Sequence, residues 1–172
     1  MIIGIDSMVL IYAEIVPSKA VARSKDFPDL RDRSKLLIYR AADRKDTIVL
    51  PTVVISELLV PVPDGEKGGL ILMLQKRFVC PPLDLHAASL AASTWSQFKK
   101  RAQNRDYSSR DILKADALIV ASARAANVSC FYSHDENCRA LAELTGMKAE
   151  DLPVARTLED QYVLADIKAG KI

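Results

Sequence analysis

Cysteine, histidine and long apolar runs are all scarce in this sequence. Its three cysteines have no CxxC spacing, so they predict neither a disulfide framework nor a zinc knuckle. No apolar run is long enough to cross a bilayer, and the opening MIIGID lacks the basic stretch of a signal peptide. A net charge of +2 is too small to imply a polyanionic partner by itself. We therefore expect free thiols in a reducing compartment, the cytoplasm, and no membrane partner.

What the sequence does contain is a regular alternation of short apolar strands and helical segments. The 172 residues are enough for one domain with its own core. Such alternation predicts a parallel sheet covered by helices on both faces, an α/β fold. The segment 61–69, rich in proline and glycine, is predicted to be a loop. Strands are predicted at 2–6, 47–51, 78–83, 128–133 and 152–157, and helices at 8–16, 30–46, 52–60, 70–78, 85–104, 113–127 and 136–146.

Local signals predict where several of these helices begin and end. Asp6 or Ser7 can cap the first helix, which Pro17 should stop. Thr52 and Asp84 stand immediately before or at the start of two further helices and are predicted to cap them. Asn127 is a left-handed residue type suited to end the helix before it.

Four carboxylates occupy positions where an ionised group is costly. Asp6 and Asp135 follow predicted strands, whereas Glu57 and Asp116 interrupt helices that are otherwise almost entirely aliphatic. The residues three and four positions from Asp116 are Ile112, Leu113, Ile119 and Val120. Capping explains Asp6 and Asp135 if each is taken alone, and solvent exposure could explain Glu57.

One divalent cation would account for all four acids together. A buried carboxylate protonates unless a cation or hydrogen-bond donors stabilise its charge. Lys114 is two residues from Asp116, a spacing at which helical side chains do not face each other. Since no histidine or cysteine pair accompanies the acids, the donor set favours Mg²⁺ or Mn²⁺ over Zn²⁺.

A basic run leads into the helix that carries Asp116. Between Trp95 and Ala115 there are six basic residues against two acidic ones. By itself such a run is a solvated helix face, but beside a metal site it could guide a phosphate backbone. Its members are Lys99, Lys100, Arg101, Arg105, Arg110 and Lys114.

Together these segments resemble the PIN-domain nucleases, including ribonucleases of the VapC type. The matching stretches are IIGIDSMVLIY, IVLPTVVISELL, KADALIVASARAANVSCFYSHD and ENCRALAEL, in the family's order. The resemblance implies a three-layer α/β/α sandwich and a pocket that binds Mg²⁺ or Mn²⁺ and hydrolyses single-stranded RNA. It implies that Asp6, Glu57, Asp116 and Asp135 are the catalytic and metal-binding acids. Ser133 matches a small hydroxyl residue that steadies the site, and Ser7 could act in the same way.

The sequence departs from the family at three positions near the last acid. Asn137 stands where many members carry a further acid, Cys138 where an aromatic is common, and His134 where a small polar residue is usual. We keep Asn137 as a supporting residue. The likeness covers most of residues 1–155. We predict a domain of residues 1–157, with 158–172 a tail that packs on the domain or extends from it.

Other readings of the same residues remain open. A degenerate PIN domain could bind nucleic acid or protein without catalysis. A phosphatase using Asp6 as nucleophile would need another Asp where this chain has Met8, and a DNA nuclease would use the same ions. As a toxin, the protein would be expected to pair with an antitoxin protein. A homodimer through the apolar surfaces of helices 30–46 and 70–78 is a further prediction.

Overall fold

A four-stranded parallel sheet forms the centre of the protein. The computed structural model describes residues 1–16, 25–101 and 110–170. The strands are β1 (Ile2–Ile5), β2 (Thr47–Val49), β3 (Cys130–Tyr132) and β4 (Lys148–Glu150), in the order β2-β1-β3-β4. All three pairings are parallel. The predicted α/β fold, a three-layer sandwich around a parallel sheet, is confirmed.

Strand order reverses at the middle of this sheet. From β1 the chain moves outward to β2 on one side and later returns to place β3 on the other side. In open parallel sheets, ligands bind beyond the carboxyl ends of the strands at such a reversal. The position to search for a site is therefore the end of β1 and β3, where Ile5 pairs with Tyr132.

Eight helices of the described residues surround the sheet. The group α3, α5, α6 and α7 is linked by mutual contacts, and α2 contacts α1 and α8. None of these helices is both long and apolar enough to span a bilayer. Their bounds are α1 (Ser7–Tyr12), α2 (Phe27–Asp43), α3 (Thr52–Leu59), α4 (Asp64–Arg77), α5 (Leu85–Arg101), α6 (Arg110–Ala125), α7 (Glu136–Leu144) and α8 (Leu158–Lys168).

The core is continuous from the sheet to the helices on it. Ile3, Ile5 and Phe131 of the two central strands are fully buried. Helical side chains such as Leu36 and Leu141 complete it. Because helices cover both faces of the sheet, β1 shows no alternation of apolar and polar residues.

Three of the predicted helix boundaries are confirmed and two are wrong. Asp6 caps α1, with its Oδ1 accepting a hydrogen bond from the Val9 amide at 3.0 Å. Asp84 accepts from the Ala87 amide at 2.8 Å, and Asn127 has a φ of 60°. Thr52 does not cap α3, because Pro51 occupies the cap position and Thr52 is already helical.

The other wrong boundary is the end of the first helix. It ends at Tyr12, well before Pro17, and Glu14 then adopts a φ of 60°. A left-handed residue breaks the helix at that point, so the proline is not what ends it. Pro17 itself lies outside the described residues.

Two predicted segments also have the wrong structure. Residues 64–69, predicted as loop, form the first turns of α4, which begins after Pro63 with Asp64 and Glu66 in its first turn. Acidic residues there stabilise the positive end of the helix dipole and offset the cost of three glycines.

The predicted strand at 152–157 is wrong as well, because the fourth strand is Lys148–Glu150 and residues 151–156 lie outside the sheet. Pro153 has no amide to contribute to a ladder. The predicted strand at 78–83 is reduced to an isolated bridge between Val79 and Val49.

The last helix packs against α2. Arg40 of α2 forms an ion pair with the buried Asp160, and Lys168 pairs with Asp32 at 2.6 Å. Thr157 and Asp160 form a capping box that starts the helix. The described part of the predicted tail, 158–170, therefore packs on the fold, while a boundary at residue 157 stays a prediction.

Candidate active site

The four misplaced acids come from four separate parts of the chain. Asp6 directly follows β1, and Asp135 stands three residues after the end of β3, its neighbour in the sheet. Glu57 lies on α3 and Asp116 on α6, two helices in contact with each other. The fold thus brings two acids to the strand reversal and two more on helices that pack beside it.

Asp6 is almost completely buried. Only 6% of its surface is exposed. Its Oδ1 caps α1, and its Oδ2 accepts a hydrogen bond from the Ser133 hydroxyl. Burial raises its pKa to about 6, against the lowering effect of these two hydrogen bonds, and the charges of Asp135 and Glu57 add to the rise.

Asp116 is half-buried on α6, with Ala117, Ile119 and Val120 buried around it. Its pKa is raised to about 7, first by burial and then by the negative charges of neighbouring carboxylates. Those carboxylates are Asp135, Glu57 and Asp6, in decreasing order of effect. The other three acids therefore all lie within electrostatic reach of Asp116.

Ser133 connects two of the acids. It is fully buried, donates its hydroxyl hydrogen to Asp6, and accepts a hydrogen bond from the Asp135 amide at 3.0 Å. Asp135 is exposed and caps α7, with its Oδ1 accepting from the amides of Asn137 and Cys138 at 2.7 and 3.2 Å. The prediction that Asp6 and Asp135 cap helices is confirmed. Both residues nevertheless belong to the group of acids.

Three further residues, Ser7, Asn137 and Cys138, lie near the acids in sequence. Ser7 is half-buried at the start of α1, and the Asn137 side chain is exposed on α7. Cys138 is buried, and its pKa is raised well above the usual thiol value by burial and then by the charges of Asp6 and Asp116. A neutral thiol consequently faces the acids where the resemblance leads one to expect an aromatic ring.

The cluster fits a divalent cation by charge and donor type. Four carboxylates offer hard oxygen ligands, and each raises the cost of ionising another. The distances between the side chains do not yet match a metal site. Among the described residues, no three His, Cys, Asp or Glu side chains are placed to ligate one ion together. Glu57 and Asp135 are half-buried and exposed, so their side chains have room to turn toward a shared ion.

The predicted basic run is only partly described. Lys99, Lys100 and Arg101 are exposed in the last turn of α5, and Lys114 is exposed on α6. The Lys99 ammonium lies 5.7 Å from the centre of the Trp95 ring, which stacks on Phe98. Arg105 lies outside the described residues; Arg110 begins α6, but its side chain is outside them.

A group of charged residues beside the cluster was missed by sequence reasoning. Arg139, His134 and Arg33 surround Asp151, with Arg33 at 2.7 Å and His134 at 3.0 Å. One signal was available, because Arg139 stands in the first half of α7, near the end of a helix that disfavours positive charge.

Two cavities of the described residues lie away from the acids. One of about 640 Å³ is lined by Arg33, Arg40, Leu152 and Arg156, among others. Another of about 490 Å³ is lined by residues such as Ile38, Ile48 and Phe78. Neither is lined by any of the four carboxylates, so the electrostatic coupling, and not cavity size, identifies the candidate site.

The four-stranded parallel sheet, with its strand order reversed between β1 and β3, has the architecture of the PIN-domain fold, and similar solved structures confirm that fold. No protein-family model matches this chain, and no curated protein matches it significantly. It is similar to a chain in the crystal structure of VapBC2 from Rickettsia felis bound to a DNA fragment from their promoter. The TM-score is 0.54 and the identity 12%, over 89% of this chain and 100% of that one.

A second similar structure is that of VapBC-1 from nontypeable Haemophilus influenzae. Its TM-score is 0.56 at 15% identity, and the match covers 88% of this chain and 98% of the other. At such identities the likeness concerns the fold alone. The predicted PIN-domain resemblance is therefore confirmed at the level of the fold.

Proposed function

We propose that this protein is a divalent-metal-dependent endoribonuclease that cleaves single-stranded RNA. The observation that carries the proposal is the convergence of the acids. Ser133 joins Asp6 to the Asp135 backbone by hydrogen bonds, and the half-buried Asp116 has its pKa raised by burial and by the charges of the other three carboxylates. A fold gains nothing in stability from bringing four acids together, because each repels the others. Such an arrangement is the kind found where a site is tuned for binding or chemistry.

Asp6 and Asp116 would be direct ligands of Mg²⁺ or Mn²⁺, with Glu57 acting directly or through water and Asp135 in an outer position. The bound ion supplies charge for the scissile phosphate and lowers the pKa of a coordinated water. Ser133 holds the Asp6 carboxylate in one orientation through its hydroxyl. The two helix caps at Asp6 and Asp135 fix the backbone from which these carboxylates project.

Exposed cations support an RNA substrate. Lys99, Lys100 and Arg101 end α5, and α5 packs against the helix that bears Asp116. A phosphate backbone gains affinity from such residues through counterion release, without regard to sequence.

The biological role that we propose is that of a toxin in the cytoplasm, held inactive by an antitoxin protein. Both similar structures are named as VapBC assemblies. The exposed Val60, Leu72 and Leu85 supply apolar surface outside the core for a protein partner or for a homodimer.

Replacement of one acid tests the proposal. We expect Asp116→Asn to lower Mg²⁺- or Mn²⁺-dependent cleavage of a single-stranded RNA by about 10²-fold or more, because a charged ligand is lost. The circular dichroism spectrum should stay unchanged. The matched control is Asp43→Asn, an exposed aspartate on α2 that should keep full activity. Full activity of the Asp116 variant would remove the case for metal catalysis, and a DNA oligonucleotide of the same sequence tests the preference for RNA.

A binding module without catalysis is the second candidate. Two observations favour it, namely Asn137 in place of an acid and the lack of a preformed three-ligand set among the described residues. Titration of Mn²⁺ with thermal unfolding as the readout separates the two. A working site stabilises the native state by mass action, whereas an idle one gives a flat response.

A further inference from the structure

The Arg139 side chain binds the backbone of the turn between β3 and α7, residues 133–135. The Nη1 atom of Arg139 donates hydrogen bonds to the carbonyl oxygens of Ser133 and His134, each at 2.8 Å. Arg139 is on α7 itself, and its own amide donates to the Asp135 carbonyl at 3.1 Å. One guanidinium therefore ties the start of the helix to the two peptide groups that precede Asp135.

The same turn carries the groups that connect the acids. Ser133 donates its hydroxyl hydrogen to Asp6 and accepts from the Asp135 amide. Asp135 in turn accepts from the amides of Asn137 and Cys138. A rotation of either peptide group in this turn would displace the Ser133 hydroxyl and the Asp135 carboxylate together.

The Arg139 guanidinium also lies near a carboxylate, that of Asp151. It is 3.9 Å from the Asp151 carboxylate, which accepts from Arg33 at 2.7 Å and contacts the His134 ring at 3.0 Å. Arg33 belongs to α2, and its side chain is only 13% exposed. The contacts thus form a chain from α2 through Asp151 to the turn.

We propose that Arg139 is a positioning residue for the carboxylate cluster. This proposal rests on the proposed function. In it, Arg139 keeps Ser133 and Asp135 aligned toward Asp6. An ordinary surface ion pair would not explain its contacts, because its two 2.8 Å bonds go to backbone carbonyls, while its distance to the nearest carboxylate exceeds hydrogen-bond range. A planar guanidinium can serve two carbonyls from one nitrogen. Here that same Nη1 atom is also the one that lies 3.9 Å from the Asp151 carboxylate.

The test compares Arg139→Gln with Arg40→Gln. Arg40 is a matched control, since it too is an α-helical arginine paired with an aspartate, but it pairs with Asp160 of α8. We expect Arg139→Gln to speed hydrogen exchange at the Asn137 and Cys138 amides about 10-fold, with the control unchanged there. Exchange is measured without added metal, so this arm does not depend on catalysis.

The second readout is the Mn²⁺ concentration that gives half-maximal RNA cleavage. Loss of an outer-shell partner typically weakens metal affinity by about 10- to 100-fold. We expect Arg139→Gln to raise that concentration by about 10-fold and to leave the rate at saturating Mn²⁺ within a few-fold of wild type. If Arg139→Gln does not fold, Arg139→Lys keeps the charge without the planar fork and is measured in the same way.

The outcomes separate the two proposals. A wild-type protein without cleavage or Mn²⁺ response refutes the nuclease, while the exchange arm still decides whether Arg139 holds the turn. A wild-type protein that cleaves RNA, with exchange and Mn²⁺ dependence in Arg139→Gln equal to those of Arg40→Gln, overturns the positioning role.

Discussion

Asp116 links the chemistry of the site to the stability of the protein. Its pKa in the fold is about 7, whereas an unperturbed aspartate has 3.8. The folded state therefore holds this proton more tightly than the unfolded state does. Stability from this group is complete at acidic pH and is lost as the pH rises from about 4 to about 7. Asp6, with a pKa of about 6, acts in the same direction.

We expect metal-free wild-type protein to lose stability between about pH 4 and pH 7, and Asp116→Asn to remove part of that loss. Solvent contact reduces the effect, so the variant should exceed wild type by about 2 kcal/mol near pH 8 and match it near pH 4. Urea unfolding in the presence of a chelator measures both values. A difference in stability between variant and wild type that is the same near pH 4 and near pH 8 would contradict the placement of Asp116 among acids.

Some residues of the candidate site could be predicted from the sequence, and others could not. Asp116 could be singled out because all its helical neighbours are aliphatic, and Ser133 through the family resemblance. Arg139 offered only one signal, a positive charge in the first half of α7. Its carbonyl partners depend on the shape of the turn after β3, and Asp151 is brought near it by the pairing of β4 with β3. The capping of α7 by Asp135 shows that an ordinary local role and a place in the cluster can coincide.

At the scale of elements, the Phe131 ring of β3 packs against β1 at the one position, Gly4, that has no side chain. A Cβ atom added to Gly4 would lie 2.7 Å from the Phe131 ring and 3.2 Å from a Val128 methyl group. Phe131 is fully buried in the core, so its ring cannot move out to solvent without a loss of apolar burial. Glycine at this position thus allows the central strands to pair with an aromatic ring packed across them.

We expect Gly4→Ala to lower the free energy of unfolding by about 1–3 kcal/mol through overpacking. The matched control is Gly68→Ala in α4, where an added Cβ meets nothing within 4 Å. That change should raise stability by about 0.5–1 kcal/mol, because alanine is the better helix former. Chemical unfolding of both variants measures the difference, and equal effects would show that the contact with Phe131 is not limiting.

The pattern of apolar residues predicted helices and strands best where it continued through a whole element. β1, α5 and α7 could be predicted because strand or helix patterns and caps agree in them. The start of α4 was missed because three glycines suggest a turn, although acidic residues and a preceding proline support a helix start. The fourth strand was misplaced because only three residues of it pair, and their burial depends on β3.

At the scale of the whole molecule, α8 packs against α2. The Arg40–Asp160 and Lys168–Asp32 pairs both join these two helices. Leu158 and Tyr162 on the same helix are exposed, whereas Val163, Leu164 and Ile167 are half-buried. A helix held in this way adds stability without being needed for the core of the sheet.

We expect a chain of residues 1–157 to fold, with a melting temperature lower than that of the full chain by about 2–8 °C, corresponding to a loss of about 1–2 kcal/mol. Differential scanning calorimetry of the two chains gives the shift. Cleavage of RNA should be retained, since none of the four acids contacts α8 through a described ion pair or hydrogen bond. Failure of the short chain to fold would show that a domain boundary at residue 157 is wrong.

The pairing of β1 with β3 also sets a time at which the proposed enzyme can first act. During synthesis on the ribosome, Asp6 and Glu57 emerge long before Asp116 and Asp135 have been added. A nascent chain holds only half of the carboxylates and has no β3 on which Ser133 can reach back to Asp6. We expect a nuclease assembled in this order to be unable to cut RNA until the segment that carries Asp116 and Asp135 has been made.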